Sequence, residues 1–207
     1  MYTLYYSPAA CSVGIHFLLQ EMGVPYRASR VSIKDGEQLS PAFVSKNPKA
    51  KVPVLEREDG TVITEFPAIA YWLSRTHPDH HLLPETIKGQ TRVIEMLEFS
   101  VSTIHMQGFS RIFRPAKFTP REEDHPVVQQ TGRDIVQKGF ERISASIGEG
   151  PFAYGDRLTI ADAALFFVLF WACERVKLEV PQNCADYFAR LRALPSTQHV
   201  LQVEGLA

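Results

Sequence analysis

The sequence predicts a chain in two parts, a mixed α/β segment followed by an all-helical remainder. Three observations carry this expectation. Short β-prone runs alternate with helical ones up to Arg75. Beyond Pro84 the apolar residues recur at spacings of three and four, with almost no strand signal. Between the two, Thr76 to Pro84 (THPDHHLLP) breaks the periodicity on both sides. The expected boundaries are therefore 1–76 for the first domain, 77–85 for a linker and 86–207 for the helical domain.

In chain order, Tyr2 to Tyr6 (YTLYY) is short, aromatic and β-prone. Cys11 to Met22 is helical: Ile15, Leu18, Leu19 and Met22 share a face, and Gly23 stops the run. Tyr26 to Ile33 alternates as a strand does. A linker with a short helix follows. Pro53–Arg57 and Thr61–Glu65 flank the turn Glu58-Asp59-Gly60 and predict a hairpin. Pro67 to Arg75 is helical, with Pro67 at its start. The order is β-α-β-α-β-β-α.

The helical remainder shows two core stripes, Ile94, Leu97, Val101 and Ile104, then Val136, Phe140, Ile143 and Ile147. Thr159-Ile160-Ala161-Asp162 has the form of a capping box. The run behind it, Ala161 to Cys173, is apolar on nearly every side, which predicts the buried centre of the bundle.

Bulk properties narrow the function classes. The 207 residues carry 22 basic and 23 acidic side chains, for a net charge of −1. That balance argues against a polyanionic partner such as nucleic acid. No apolar run reaches membrane-spanning length, and no basic segment followed by an apolar one opens the chain, so neither a membrane nor a secretion signal is expected. The three cysteines, Cys11, Cys173 and Cys184, form no C-x-x-C motif. That pattern fits a reducing cytoplasm, with no disulfide framework and no metal site.

Cys11 stands where the first strand gives way to the first helix. Helix starts leave backbone N–H groups unpaired, and the partial positive charge there favours a thiolate. Reactive cysteines in such settings have pKa values of roughly 3.5 to 7.5. The alternative is a small buried residue that packs under the sheet. Ser12 offers a hydroxyl either to a bound sulfur or to nearby backbone groups. Three residues beyond Cys11 stands Gly14, where a dithiol oxidoreductase needs its second cysteine, so a mixed disulfide at Cys11 must be resolved by an external thiol.

The segments Tyr6-Ser7-Pro8-Ala9-Ala10-Cys11-Ser12, Asn47-Pro48-Lys49-Ala50-Lys51-Val52-Pro53-Val54-Leu55 and Glu65-Phe66-Pro67-Ala68-Ile69, in this order and ahead of an all-α remainder, resemble a bacterial glutathione transferase of the beta class. The resemblance covers essentially the whole chain. It implies a thioredoxin-like N-terminal domain followed by a helical bundle, in a cytoplasmic homodimer active in detoxification. It further implies an enzyme that joins glutathione, as co-substrate, to hydrophobic electrophiles or exchanges disulfides with it.

Residue by residue, the resemblance assigns Cys11, Ser12 and His105 to catalysis. It implies a cis Val52-Pro53 bond whose backbone pairs with the cysteinyl part of the tripeptide in the manner of an added strand. Lys51 is expected to meet the glycyl carboxylate. Glu65 and Phe66 are expected at the γ-glutamyl end, where a helix start suits a carboxylate. Ala9, Phe109 and Phe113 are expected to line an apolar pocket for the electrophile. Three positions depart from the family pattern: Phe66 stands where it usually has Ser or Gly, Glu98 where it often has Asn, and Met106 where it has a basic residue. Two other classes of function remain: a glutathione-dependent isomerase of the maleylacetoacetate type, whose arginines are absent from Val13-Gly14-Ile15-His16, and a non-enzymatic adaptor of the same fold.

Overall fold

A computed structural model describes residues 1–148 and 150–207. The chain divides into two compact units, Met1–Leu82 together with Arg190–Ala207, and Leu83–Ala189. The sequence assigns all of 86–207 to the helical domain; the structure groups the last eighteen or so residues with the first unit.

In the first unit, strands β1 (Tyr2–Tyr6), β2 (Tyr26–Arg30), β3 (Val54–Glu56) and β4 (Val62–Thr64) form one sheet in the order β2-β1-β3-β4. β1 runs parallel to β2 and antiparallel to β3, and β3 is antiparallel to β4. The parallel pair requires a crossover, supplied by helix α1 (Ser12–Met22). Gly23 ends that helix at φ 63°, a conformation open to glycine at no steric cost. β2 stops at Arg30, short of the expected Ile33, because Val31 to Ile33 turn away into a loop tied by Ser32 and Asp35. The β3–β4 turn closes as expected: Gly60 takes φ 78°, and Asp59 Oδ1 accepts the Thr61 N–H at 3.0 Å.

Helix α2 (Pro41–Val44) is capped by Ser40, whose hydroxyl accepts the Phe43 N–H. Helix α3 (Phe66–Thr76) follows β4 directly. α1 is buried along nearly its whole surface, with Val13, Ile15, Phe17, Leu18 and Leu19 fully inaccessible. Beyond the strand and helix neighbours expected for it, α1 packs against α9 (Pro195–Glu204), the last helix of the chain. Ser196 donates to Glu21 across that contact.

The second unit is helical. α4 (Ile87–Glu98) continues without a break through a π-helical stretch, Phe99–Phe109, into α5 (Ser110–Phe113). Its buried positions through the π-helical stretch are Gly89, Val93, Leu97, Ser100, Ile104, Gly108 and Phe109. The stripe thus advances by threes and fours, as one face of a helix does. Ile94, expected in the stripe, is displaced by Val93 and stays 40% exposed.

α6 (His125–Ser146) packs against this helix, with Val136, Phe140 and Ile143 buried as expected. Two glycines set the approach: a Cβ at Gly139 would stand 2.7 Å from Ile104 Cγ1, and one at Gly108 2.5 Å from Val136 Cγ2. α7 (Ile160–Phe170) is the buried centre, all eleven of its residues buried. Its capping box forms, with Asp162 Oδ2 accepting the Thr159 N–H at 2.7 Å. α8 (Gln182–Ala193) completes the bundle, and Tyr187 donates to Asp162 at 2.6 Å.

Candidate active site

Cys11 is the N-cap of α1, at φ −56° and ψ −22°. Its Sγ lies 3.6 Å from the carbonyl oxygen of Val52, and the residue is partly exposed. The Val52-Pro53 bond is cis, as the resemblance implies. Both residues are buried, and Pro53 leads directly into β3. Thus the thiol and the start of the β3 segment meet at one edge of the first unit.

Ser12 does not share this exposure. Its side chain is fully buried, donates to the Ser7 carbonyl at 3.2 Å and accepts the Ser7 N–H at 3.2 Å. The hydroxyl therefore fixes the loop between β1 and α1, and the catalytic role expected for it is not supported by its placement.

The loop before Cys11 has a second anchor, which the sequence does not announce. Ala9 takes φ 58°, and its N–H donates to Glu204 Oε2 at 3.1 Å. The other oxygen of Glu204 accepts from His16 Nδ1 at 2.8 Å. Burial pushes the Glu204 carboxyl above its ordinary range, while the His16 and Ala9 bonds pull the other way. Ala9, expected to line a substrate pocket, is only 7% exposed and serves this anchor instead.

Before β3, Asn47 shapes the approach to Val52. Its Nδ2 donates to the Lys51 carbonyl at 2.7 Å, and its Oδ1 accepts the Lys49 N–H at 3.2 Å. Lys51 itself is exposed. At the start of α3, Glu65 holds φ 74° and ψ 129°, and its carboxylate is paired with Lys49. Phe66 is buried, 4% exposed, so its ring belongs to the core and only its backbone stands at the helix start.

In the second unit, His105 is partly buried and meets Phe167 and Trp171 edge-on, at 5.4 Å and 4.8 Å between ring centres. Trp171 also packs against Phe109 and Phe113. Phe109 is fully buried, so it has no surface to offer a substrate, contrary to the sequence expectation. Phe113, stacked on Phe109, keeps 41% of its surface exposed and remains available to one. Trp171, absent from the expected site, is the hub of this aromatic group. Its signal in the sequence was masked by the apolar run in which it sits. A groove of about 530 Å³ near Tyr2, Arg57 and His77 lies at the opposite end of β1 from Cys11 and contains none of these residues.

A thioredoxin-like domain with a single thiol at its first helix, followed by a helical domain, defines a class of glutathione-using proteins. Comparison with known proteins agrees. Residues 9–76 match the model of the glutathione S-transferase N-terminal domain, and residues 111–192 match that of its C-terminal domain. Glutathione S-transferase GstA of Escherichia coli O157:H7 is 34% identical, over 98% of this chain and 98% of its own. A bacterial beta-class glutathione S-transferase of Sphingomonas chungbukensis, of known structure, is 27% identical with a TM-score of 0.83, covering 99% of this chain and 100% of its own. A maleylacetoacetate isomerase of Pseudomonas aeruginosa is 28% identical over 85% of this chain and 81% of its own. The chain belongs to the glutathione S-transferase family.

Proposed function

We propose that the protein is a glutathione transferase that holds glutathione along Lys51, Val52 and Pro53, with Glu65 and the backbone at Phe66 at its γ-glutamyl end, and that Cys11 does the thiol chemistry. One observation carries this reading: Cys11 is a partly exposed residue whose sulfur sits 3.6 Å from the Val52 carbonyl, where an extended cysteinyl peptide would lie. The hydroxyl beside it is spent on Ser7.

In disulfide exchange, the Cys11 thiolate attacks the glutathione sulfur of a mixed disulfide. The Cys11–glutathione disulfide forms and the substrate thiolate leaves. A second glutathione thiolate then attacks that bond, releasing glutathione disulfide and restoring Cys11. Gly14 cannot take the resolving step, which is why the external thiol is needed. In conjugation, the same groove holds the glutathione thiolate for attack on a hydrophobic electrophile; within the second unit, Phe113 offers an exposed apolar surface and His105 an imidazole able to give or take a proton.

The same reading extends to a cytoplasmic homodimer acting in detoxification. Its dimer is supported by large apolar side chains left exposed, among them Tyr71, Ile87 and Ile94. No helix among the described residues is long and apolar enough to cross a membrane. The isomerase reading is weaker, because Gly14, Ile15 and His16 are buried in α1 and offer nothing to a dicarboxylate.

Assays of Cys11→Ala with glutathione test the proposal. Exchange with a small mixed disulfide is expected to disappear while conjugation of an aryl halide persists. Full exchange activity in that variant sinks the nucleophile assignment. Failure of the wild-type protein to be retained on immobilised glutathione, with no thermal shift, favours the adaptor reading.

A further inference from the structure

The corner between α5 and α6 carries a charge that the function proposed above leaves unused. Residues 111–121 (RIFRPAKFTPR) hold four basic side chains and no acidic one, in a chain of net charge −1. The nearest acids in sequence are Glu98 on one side and Glu122 on the other. The segment leaves α5, makes a single 3₁₀ turn at Pro115–Lys117 and ends before α6, with Arg114, Lys117 and Arg121 exposed.

Arg111 is fixed from three directions. Its Nη1 donates to the Gln107 carbonyl at 2.6 Å, and its guanidinium carbon lies 4.3 Å from the centre of the Phe118 ring. Its Cβ rests against Gly132 of α6, where a side chain would stand 2.8 Å from it. Among the described residues, no carboxylate pairs with Arg111 or Arg114. Arg121 is paired, its Nε donating to Asp124 Oδ2 at 2.7 Å. Glu122 and Glu123 are exposed and bound the segment at its far end. Arg111 and Arg114 therefore carry uncompensated charge. Interleaved with them in the chain are Phe113 and Phe118, each 41% exposed.

Charge alone would suit any polyanion. Exposed aromatic rings set among the cations favour an anionic bilayer, where rings lodge at the headgroup boundary and cations meet the lipid phosphates. We infer that residues 111–118 form a peripheral contact for a membrane surface of anionic phospholipid. The contact needs no spanning segment and does not depend on the glutathione reading. Its aromatic residues are not those invoked above for the dimer. Each cation near such a surface strengthens binding by about fivefold, and salt screens the effect. Hydrophobic electrophiles partition into the same lipid, so the contact brings an enzyme that consumes them to where they gather.

Sedimentation of the full chain with vesicles tests this. The wild-type protein is expected to bind mixed phosphatidylcholine–phosphatidylserine vesicles about tenfold more tightly than pure phosphatidylcholine ones, and to lose that preference as salt is raised. The double variant Arg111→Gln, Arg114→Gln should lose most of the preference, and Phe118→Ala should bind the mixed vesicles more weakly than the wild type. Arg114→Gln alone changes an exposed, unpaired side chain, so it keeps the fold and is expected to lose about fivefold. Equal binding of the wild-type protein to both kinds of vesicle overturns the inference. So does a wild-type affinity for mixed vesicles in both Arg variants. Retention on heparin with no binding to either vesicle would make the surface a polyanion contact and overturn it as well.

Discussion

His16 and Glu204 are joined by a 2.8 Å hydrogen bond between Nδ1 and Oε1, although 188 residues separate them. Neither side chain is more than 1% exposed. The chain's last helix thus reaches back to the loop that presents the thiol, because Glu204 also holds the Ala9 N–H. Removing one partner of a buried pair leaves the other without compensation, at a typical cost of 3–5 kcal/mol. Glu204→Ala is therefore expected to lose about that much stability in urea unfolding. Glu204→Gln, which keeps an acceptor oxygen, should lose clearly less. Equal, small losses in the two variants would show that the pair does not hold the loop.

Asn47 fixes the path into Val52 from the other side. Its two side-chain bonds, to Lys49 N–H and Lys51 C=O, lie in a residue only 1% exposed. Asn47→Ala removes the partners of two part-buried backbone groups, the Lys51 carbonyl and the Lys49 N–H, at a cost of about 1 kcal/mol for each bond. The expected result is a lower melting temperature together with weaker glutathione binding. Asn47→Asp retains the acceptor but not the donor, and should fall between the two. A stability loss with unaltered glutathione affinity would confine Asn47 to a purely structural role.

The pH dependence of stability is expected to show a plateau set in part by Tyr5, Lys46 and Glu56. The Tyr5 hydroxyl, bonded at 2.6 Å, and then Lys46, at 2.9 Å, hold the Glu56 carboxyl below its ordinary 4.5. A carboxyl shifted down on folding contributes stability above its unfolded pKa and loses it as pH falls through the folded one. Lys46 is shifted the other way, above 10.5, chiefly by Glu56. Its contribution is full below the unfolded value and is lost as pH rises through the folded one. Glu56→Gln should therefore show a shallower fall in stability below about pH 4.5. Denaturant unfolding between pH 3 and 7 measures it, and parallel acid limbs for variant and wild type would refute it.

What the sequence disclosed followed from local rules. Gly60 in the hairpin, Gly23 after α1 and the Thr159–Asp162 box each act within a few residues, so pattern alone located them. Cys11, Val52 and Glu65 were found through their motifs, and the structure brings the first two within 3.6 Å of each other. The rest depended on contacts that no short pattern encodes. Glu204 looks like any polar residue near a chain end. His16 interrupts an apolar face without naming its partner. Phe109 and Phe113 are indistinguishable as letters, yet one is sealed in the aromatic group around Trp171 and the other is open. Val93 and Ile94 are adjacent apolar residues, and periodicity alone does not say which of the two faces the core; the structure buries Val93.

Asp162 provides a test of how far one local motif controls the whole second unit. Its carboxylate is fully buried and accepts the N–H groups of Ala153 at 2.8 Å and Thr159 at 2.7 Å. It also accepts the hydroxyls of Thr159 at 2.9 Å and Tyr187 at 2.6 Å. Burial pushes the Asp162 carboxyl up while those four bonds pull it down, with burial prevailing. The residue therefore links the loop before α7, the first turn of α7 and α8. Asp162→Ala strands several buried donors at once, and the expected loss is about 3–5 kcal/mol or more. Asp162→Asn keeps one acceptor oxygen but turns an NH₂ group toward donors, so it should recover only part of that loss. Because α7 is the centre of its unit, amide exchange should accelerate throughout α6 and α8 in Asp162→Ala, and not only at residues 153–162. Acceleration confined to the capping turn would mean that the box closes one helix end without organising the bundle.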